Sequence, residues 1–255
     1  MGANHASLGF DGAGSLLVDV APAVKVATAV AVVASVALVP ADAPWVLVFH
    51  GVVVLVGLRT AQVSLRSIGR RARIVAPFVV GAALLPFLAS GERVDIVGLS
   101  VSRPGLAAAI VVIGKVLVGF TAGAALVMTT EPVDIVRGLQ QLRVPRTFTT
   151  IAGLMLRFAD VLRGESSRMQ IARIARGDDP RSIAQVRATA RTAGVLFVRG
   201  YERGERVHQS MIARGWSGAM PDTSKRSVPI EDWFRVGSWG AVAVFITAFG
   251  WMTVG

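Results

Sequence analysis

The sequence predicts an all-α, polytopic membrane protein with about five transmembrane helices and two long cytoplasmic helices. Three observations predict it. Of 255 residues, 53% are apolar and only 17% charged, with a mean hydropathy of +0.59, too greasy for an ordinary soluble domain. The apolar residues fall into long runs at both ends of the chain. The basic residues, which give a net charge of +11, collect between those runs. Such a balance is the arginine asymmetry of membrane loops, and it lacks the interleaved aromatics that single-stranded nucleic acid would require, so no nucleic-acid partner is expected. With no cysteine, disulfides, thiolate metal sites and cysteine nucleophiles are excluded. His5, His50 and His208 are too scattered to suggest a metal centre.

These features divide the chain into a tail (1–20), four membrane helices (21–130), a cytoplasmic region (131–232) and a last membrane helix (233–255). The tail has no Lys or Arg ahead of an apolar stretch and does not read as a signal peptide. Residues 23–39 form the first span, interrupted only by Lys25, close enough to the end to snorkel. Pro40 to Pro44 make a turn, and Trp45 anchors a second span to Leu58. Arg59 to Arg73 holds five arginines and no acid, which places it in the cytoplasm. Ile74 to Ala89 is a third span that Pro77 and Pro86 should kink. Glu92 to Arg103, balanced in charge, is an outer loop. Gly105 to Met128 is a fourth span with Lys115 near its middle, where a lysine costs about 2.5–3.5 kcal/mol and must face protein or water. That lysine reads either as a structural pairing group or as part of a transport path. This topology puts the N-terminus inside and the C-terminus outside.

Thr129-Thr130-Glu131-Pro132 reads as a helix start, with a threonine cap and proline where its missing N–H does no harm. The helix stops near Arg143-Val144-Pro145. From Phe148 an apolar stripe runs through Ile151, Leu154, Met155, Phe158 and Leu162 but is interrupted by Arg157, Asp160 and Arg163. If unbroken to Arg176, it spans ~29 residues or about 44 Å, a strut suited to transmitting force. Residues 147–163 could also dip into the bilayer. Asp178-Asp179-Pro180 ends this helix and begins another from Arg181 toward Arg214, with Gly194, Gly200 and Gly204 as points of bending and Glu202 placed to pair with Arg206. Between 131 and 232, 17 Lys/Arg face 11 Asp/Glu, a net of +6, again a cytoplasmic balance. Trp233 and Trp239 then anchor the last span.

The tetrapeptide Ile-Ala-Arg-Gly occurs twice in this region, as Ile174 to Gly177 and Ile212 to Gly215. Each copy falls at a helix end. Glycine just past the last turn supplies a left-handed cap, and arginine there complements the negative end of the helix dipole. Capping alone would account for either copy. Their pairing in one chain is what needs explaining.

These residues resemble the transmembrane T component of energy-coupling factor (ECF) transporters, specifically the cobalt-type group. The resemblance rests on the two Ala-Arg-Gly ends and covers roughly residues 20–250. It also includes Pro22-Ala23-Val24-Lys25, Thr129 to Pro132, Arg143-Val144-Pro145, Arg157-Phe158, Glu165, and Glu202-Arg203-Gly204-Glu205-Arg206. Ala21 stands where the early motif usually has Asp, and Lys115 where Arg is more usual. The resemblance implies a multi-pass cell-membrane subunit whose two cytoplasmic helices are coupling helices. Ala175, Arg176 and Gly177 would meet one ABC ATPase subunit, and Ala213, Arg214 and Gly215 another. Glu165, Glu202, Arg203, Glu205 and Arg206 would support them. A separate membrane-bound S component would carry the substrate, cobalt or nickel. ATP would be bound by the partners and no cofactor by this chain, which agrees with the lack of a Gly-x-x-x-x-Gly-Lys-Ser/Thr loop.

Other readings are a vitamin-type T component, a conventional permease, a membrane scaffold or a membrane enzyme. A conventional permease would show one Glu-Ala-Ala-type loop, whereas this chain has two arginine-ended helices. An enzyme would need clustered acids or histidines at bilayer depth, where only His50 and Lys115 stand.

Overall fold

The computed structural model describes residues 20–96, 99–177, 186–216, 218 and 228–254. They divide between two compact units, one formed by residues 1–142 with 226–255 and the other by residues 143–225.

The first unit is an assembly of apolar helices. Pro22–Ala37 (α1) and Trp45–Thr60 (α2) follow the first two runs; each has 16 residues, about 24 Å of helix. The third run is broken. Leu65–Arg71 (α3) and a 3₁₀ turn, Ala72–Ile74, lead into Ala76–Ala83 (α4) and Leu85–Leu88 (α5), and the axis bends by 66° between Ile74 and Ala76. Pro77 and Pro86 each lie in the first turn of a new helical piece, where the missing N–H costs nothing, so the expected kink is a segmentation.

The loop expected at 92–103 contains instead an antiparallel β-hairpin, Arg93–Ile96 (β1) with Leu99–Ser102 (β2), pairing Arg93 with Ser102 and Val94 with Val101. Arg103–Thr129 (α6) follows with 27 residues. Pro132–Gln141 (α7) comes next. After the second unit, Ile230–Asp232 (α10), a π-helical turn at Trp233–Gly237 and Ser238–Val254 (α11) complete the assembly. Among the described residues, two helices, Arg103–Thr129 and Ile230–Thr253, are long and apolar enough to cross a membrane alone. The bent pair Arg66–Ile74 and Ala76–Leu88 makes a third if counted as one span, and α1 and α2 are shorter apolar helices.

Lipid is the solvent this surface suits. Phe245 and Met252 on α11 are 71% and 81% exposed, and Val48, Phe49 and Val52 on α2 also face outward. Such a surface would aggregate in water but is solvated by acyl chains. The interior is small-side-chained and partly polar, as helix packing without a hydrophobic driving force favours. His50 is fully buried at 0% exposure. Its Nδ1 meets the Val46 carbonyl at 2.9 Å; because that oxygen only accepts, Nδ1 carries a proton. Nε2 meets the hydroxyls of Ser35 on α1 (3.1 Å) and Thr247 on α11 (3.2 Å), joining three helices.

Lys115 also has a structural bond. Its Nζ donates to the Ala37 carbonyl at 3.1 Å, and the Trp251 indole donates to the Leu38 carbonyl at 2.9 Å, so α6 and α11 satisfy the end of α1. At the other end, Asp232 accepts from the Ala21 N–H at 2.8 Å. This buried carboxylate supplies from α10 the anion that Ala21, the N-cap residue of α1, lacks.

The threonine cap expected at 129–130 is not formed. Glu131 is the N-cap residue of α7, with no side-chain capping bond. A single extended residue, Thr130, separates α6 from Glu131, leaving no slack to turn a hydroxyl toward α7. Thr129 Oγ1 donates back to the Ala125 carbonyl at 2.8 Å, and Thr130 Oγ1 has no partner among the described residues. Although read with the cytoplasmic region, α7 lies against α1, with Gly138 packed on the Pro22 backbone.

Candidate coupling surface

The second unit is built on Arg146–Ile174 (α8), 29 residues without a break, and Val186–Ala213 (α9), 28 residues. No proline interrupts either helix. Gly194, Gly200 and Gly204 do not divide α9. The junction Asp178-Asp179-Pro180 and the start of the second helix at Arg181 lie outside the described residues.

Three contacts set the two helices antiparallel. Arg173 Nη1 donates to Thr189 Oγ1 at 3.2 Å, Arg199 Nη1 to Glu165 Oε1 at 2.5 Å, and Leu162 lies against Gly200. Glu165 is the junction. It also accepts from Arg168 at 2.7 Å, one turn along α8, and its side chain is 24% exposed. Hydrogen bonds from the Arg168 and Arg199 guanidinium groups hold its carboxyl below the usual carboxylate range.

A folded-state value below the unfolded one stabilises fully above the ordinary glutamate value and is lost as pH falls through the depressed value. Spin labels at Ala172 and Ala190 should therefore report an unchanged α8–α9 distance distribution from neutral pH down past the ordinary carboxylate range, broadening only at more acidic pH. Glu165→Gln should broaden it already at neutral pH; a variant profile identical to the wild type would refute the role.

Both repeated tetrapeptides end helices with glycine in the left-handed region, Gly177 at φ +84° and Gly215 at φ +80°. Nothing crowds either position, so the dihedral is what calls for glycine; another residue would be strained by about 1 kcal/mol. The second end is a complete Schellman motif: Gly215 N–H donates to the Ile212 carbonyl at 2.9 Å and Trp216 N–H to the Met211 carbonyl at 3.0 Å. The first shows the matching Gly177 to Ile174 bond at 3.0 Å. The same local geometry therefore stops the chain just after Arg176 and just after Arg214.

Both arginines are exposed, as are Ala175 and Ala213, and neither guanidinium has an acidic partner among the described residues. Because Arg173 meets Thr189 near the start of α9, Arg176 and Arg214 flank that helix, about 40 Å apart at 1.5 Å per residue. At that separation the two guanidinium groups do not share a contact.

Of the supporting residues, Glu165 alone has an ion-pair partner among the described residues. Glu202, Arg203, Glu205 and Arg206 are exposed, and the expected Glu202–Arg206 pair is not formed. An exposed i,i+4 pair is worth only about 0.3–0.5 kcal/mol, too little to restrain two long side chains. Trp216 was missed by sequence reasoning. It is half-buried, edge-on to His208 with ring centroids 5.8 Å apart, and its Nε1 has no partner among the described residues. Its position directly after the second glycine was the available signal. No group of three His, Asp or Glu side chains among the described residues could hold a metal ion.

Apolar helices with a lipid-suited surface define a membrane-embedded protein. The family model of the cobalt transport protein CbiQ matches residues 14–225. The chain is 32% identical over 164 residues to the cobalt transport protein CbiQ of Rhodobacter capsulatus, covering 61% of this chain and 66% of that one. It is 30% identical over 193 residues to the energy-coupling factor transporter transmembrane protein EcfT of Thermanaerovibrio acidaminovorans, covering 69% and 71%. It is 26% identical over 219 residues to a putative fused cobalt transport protein CbiMQ of Methanocorpusculum labreanum, covering 82% of this chain and 35% of that one. The chain thus spans just under two thirds of the Rhodobacter relative and about a third of the fused one. It belongs to the CbiQ family of EcfT-like transmembrane components of ECF transporters.

Proposed function

We propose that this chain is the non-catalytic coupling subunit of an ECF-type importer for cobalt or a similar divalent ion, transmitting ATP-driven motion of two ATPase subunits to a separate substrate-binding S component. The observation that carries the proposal is the pair of exposed, glycine-stopped arginines, Arg176 and Arg214, each just past the C-terminal end of one of two long antiparallel helices. A planar guanidinium makes bidentate contacts with carboxylates, and a neighbouring alanine lets a partner backbone approach closely. Each helix end then fits an acidic groove on one ATPase. The unbroken α8 and the Glu165–Arg199 bridge make the helix pair stiff enough to act as a lever. Cobalt as cargo is supported by the names of the CbiQ and CbiMQ relatives.

Cells lacking the chain and its partner genes should accumulate less cobalt at limiting supply, and the tagged chain should retain two ATPase subunits and an S component in mild detergent. Unchanged cobalt uptake with lost vitamin uptake would overturn the substrate; purification without ATPases would overturn the coupling role.

A further inference from the structure

The arginine-rich segment between α2 and α4 has no part in the coupling reading. Arg66, Arg70 and Arg73 recur at spacings of four and three and are all exposed, while Ser67 and Ile68 between them are buried and Ile68 packs into the core. Arg59, in the last turn of α2 at the start of the same acid-free segment, is also exposed. None of these four has an acidic partner among the described residues, and residues 59–73 contain no acid.

The surface changes character within one residue. Arg73 is followed by Ile74, 71% exposed, and then by exposed Phe78 and Val80 on α4. The 66° bend falls at that boundary, turning the arginine-bearing piece away from the axis of the apolar one. If α4 stands in the acyl region, α3 lies along the surface of the bilayer, at the depth of lipid phosphates.

We infer that Arg59, Arg66, Arg70 and Arg73 form a binding surface for anionic phospholipid headgroups. A guanidinium fork matches phosphate geometry, and each basic residue near a membrane surface favours anionic lipid by about fivefold. Burial of Ile68 fixes the α3 backbone, so three forks are presented without first ordering a loop.

The test uses the purified full chain in neutral detergent, titrated with phosphatidylglycerol or phosphatidylcholine of identical acyl chains and read by native mass spectrometry. Phosphatidylglycerol should bind at least about tenfold more tightly at low ionic strength. The preference should shrink toward unity near 0.5 M salt, where screening falls to a few ångströms. R66Q/R70Q/R73Q should abolish it, R66K/R70K/R73K should keep most of it, and R93Q/R103Q, on the β-hairpin side, should leave it unchanged. The salt titration reads the wild type alone and stands even where the glutamine variant fails to fold. Equal binding of the two lipids by the wild type, or a preference surviving in the glutamine variant, would overturn the inference. So would full displacement of the lipid by equimolar inorganic phosphate, which would make this a free-anion site. Retained lipid preference with loss of a co-purifying soluble protein from the glutamine variant would overturn it in favour of a protein partner.

Discussion

Arg176→Ala combined with Arg214→Ala should strip the ATPase subunits from the purified complex and abolish ATP-driven uptake, while leaving the chain inserted in the membrane. Both side chains are exposed and have no acidic partner among the described residues, so truncation breaks no ion pair described there. In a complex, each guanidinium would be desolvated against carboxylates, and losing it should cost about 2–5 kcal/mol in association, much of that from unpaired acids left on the partner. Each single variant should impair uptake but retain one ATPase dock, because the two ends flank a helix of 28 residues and do not share a contact. Arg→Lys should recover only part of the loss, since an ammonium cannot reproduce the fork. A purely local capping role predicts about 0.3–1 kcal/mol of helix stability per site and an intact complex. Pull-down of the ATPases with the double variant separates the two; full retention together with normal uptake would defeat coupling through these residues.

Gly138→Ala should lower the stability of the chain in detergent by about 1–3 kcal/mol, the usual cost of forcing a methyl group into a filled contact. A Cβ at Gly138 would lie 2.9 Å from the carbonyl carbon and oxygen of Pro22 and 3.0 Å from the nitrogen of Ala23. All three are backbone atoms in the first turn of α1, so relief requires α7 to move away from α1 as a body. Gly153→Ala is the matched control. A Cβ there meets nothing within 4 Å, so in the interior of α8 the better helix former should stabilise by up to about 1 kcal/mol. Thermal unfolding of both variants by intrinsic tryptophan fluorescence should shift in opposite directions; a Gly138 variant as stable as the wild type would show that α7 is not docked on α1 as described.

The two glycine-stopped helix ends were legible in the sequence because their cause is local. Glycine at a left-handed position and the turn before it involve at most six consecutive residues, so Ile-Ala-Arg-Gly announces its geometry wherever it stands, and both copies adopt it. The unbroken α8 was legible for the same reason, from a run without proline whose apolar period survives its charges. The β-hairpin was not anticipated, although the alternation from Val94 through Val101 is its signal; charge balance alone suggested a loop.

Other features came only from folding. No local pattern announces that Asp232 will supply the anion for α1, a contact between residues 211 apart, or that Thr247 will meet His50 across 197. Sequence spacing marked Glu202 and Arg206 as partners and they stay apart, while Glu165 reaches Arg199 on another helix. Nothing near Lys115 in the sequence points to the end of α1, whose Ala37 carbonyl lies 3.1 Å from its amine. The sequence by itself determined where the chain is apolar, where its charge gathers and where its helices stop, since those depend on side-chain type and on neighbours within a turn or two. Only the tertiary structure decided which buried polar group satisfies which, because a hydrogen bond in a water-poor interior goes to whatever partner the packing of whole helices brings within reach.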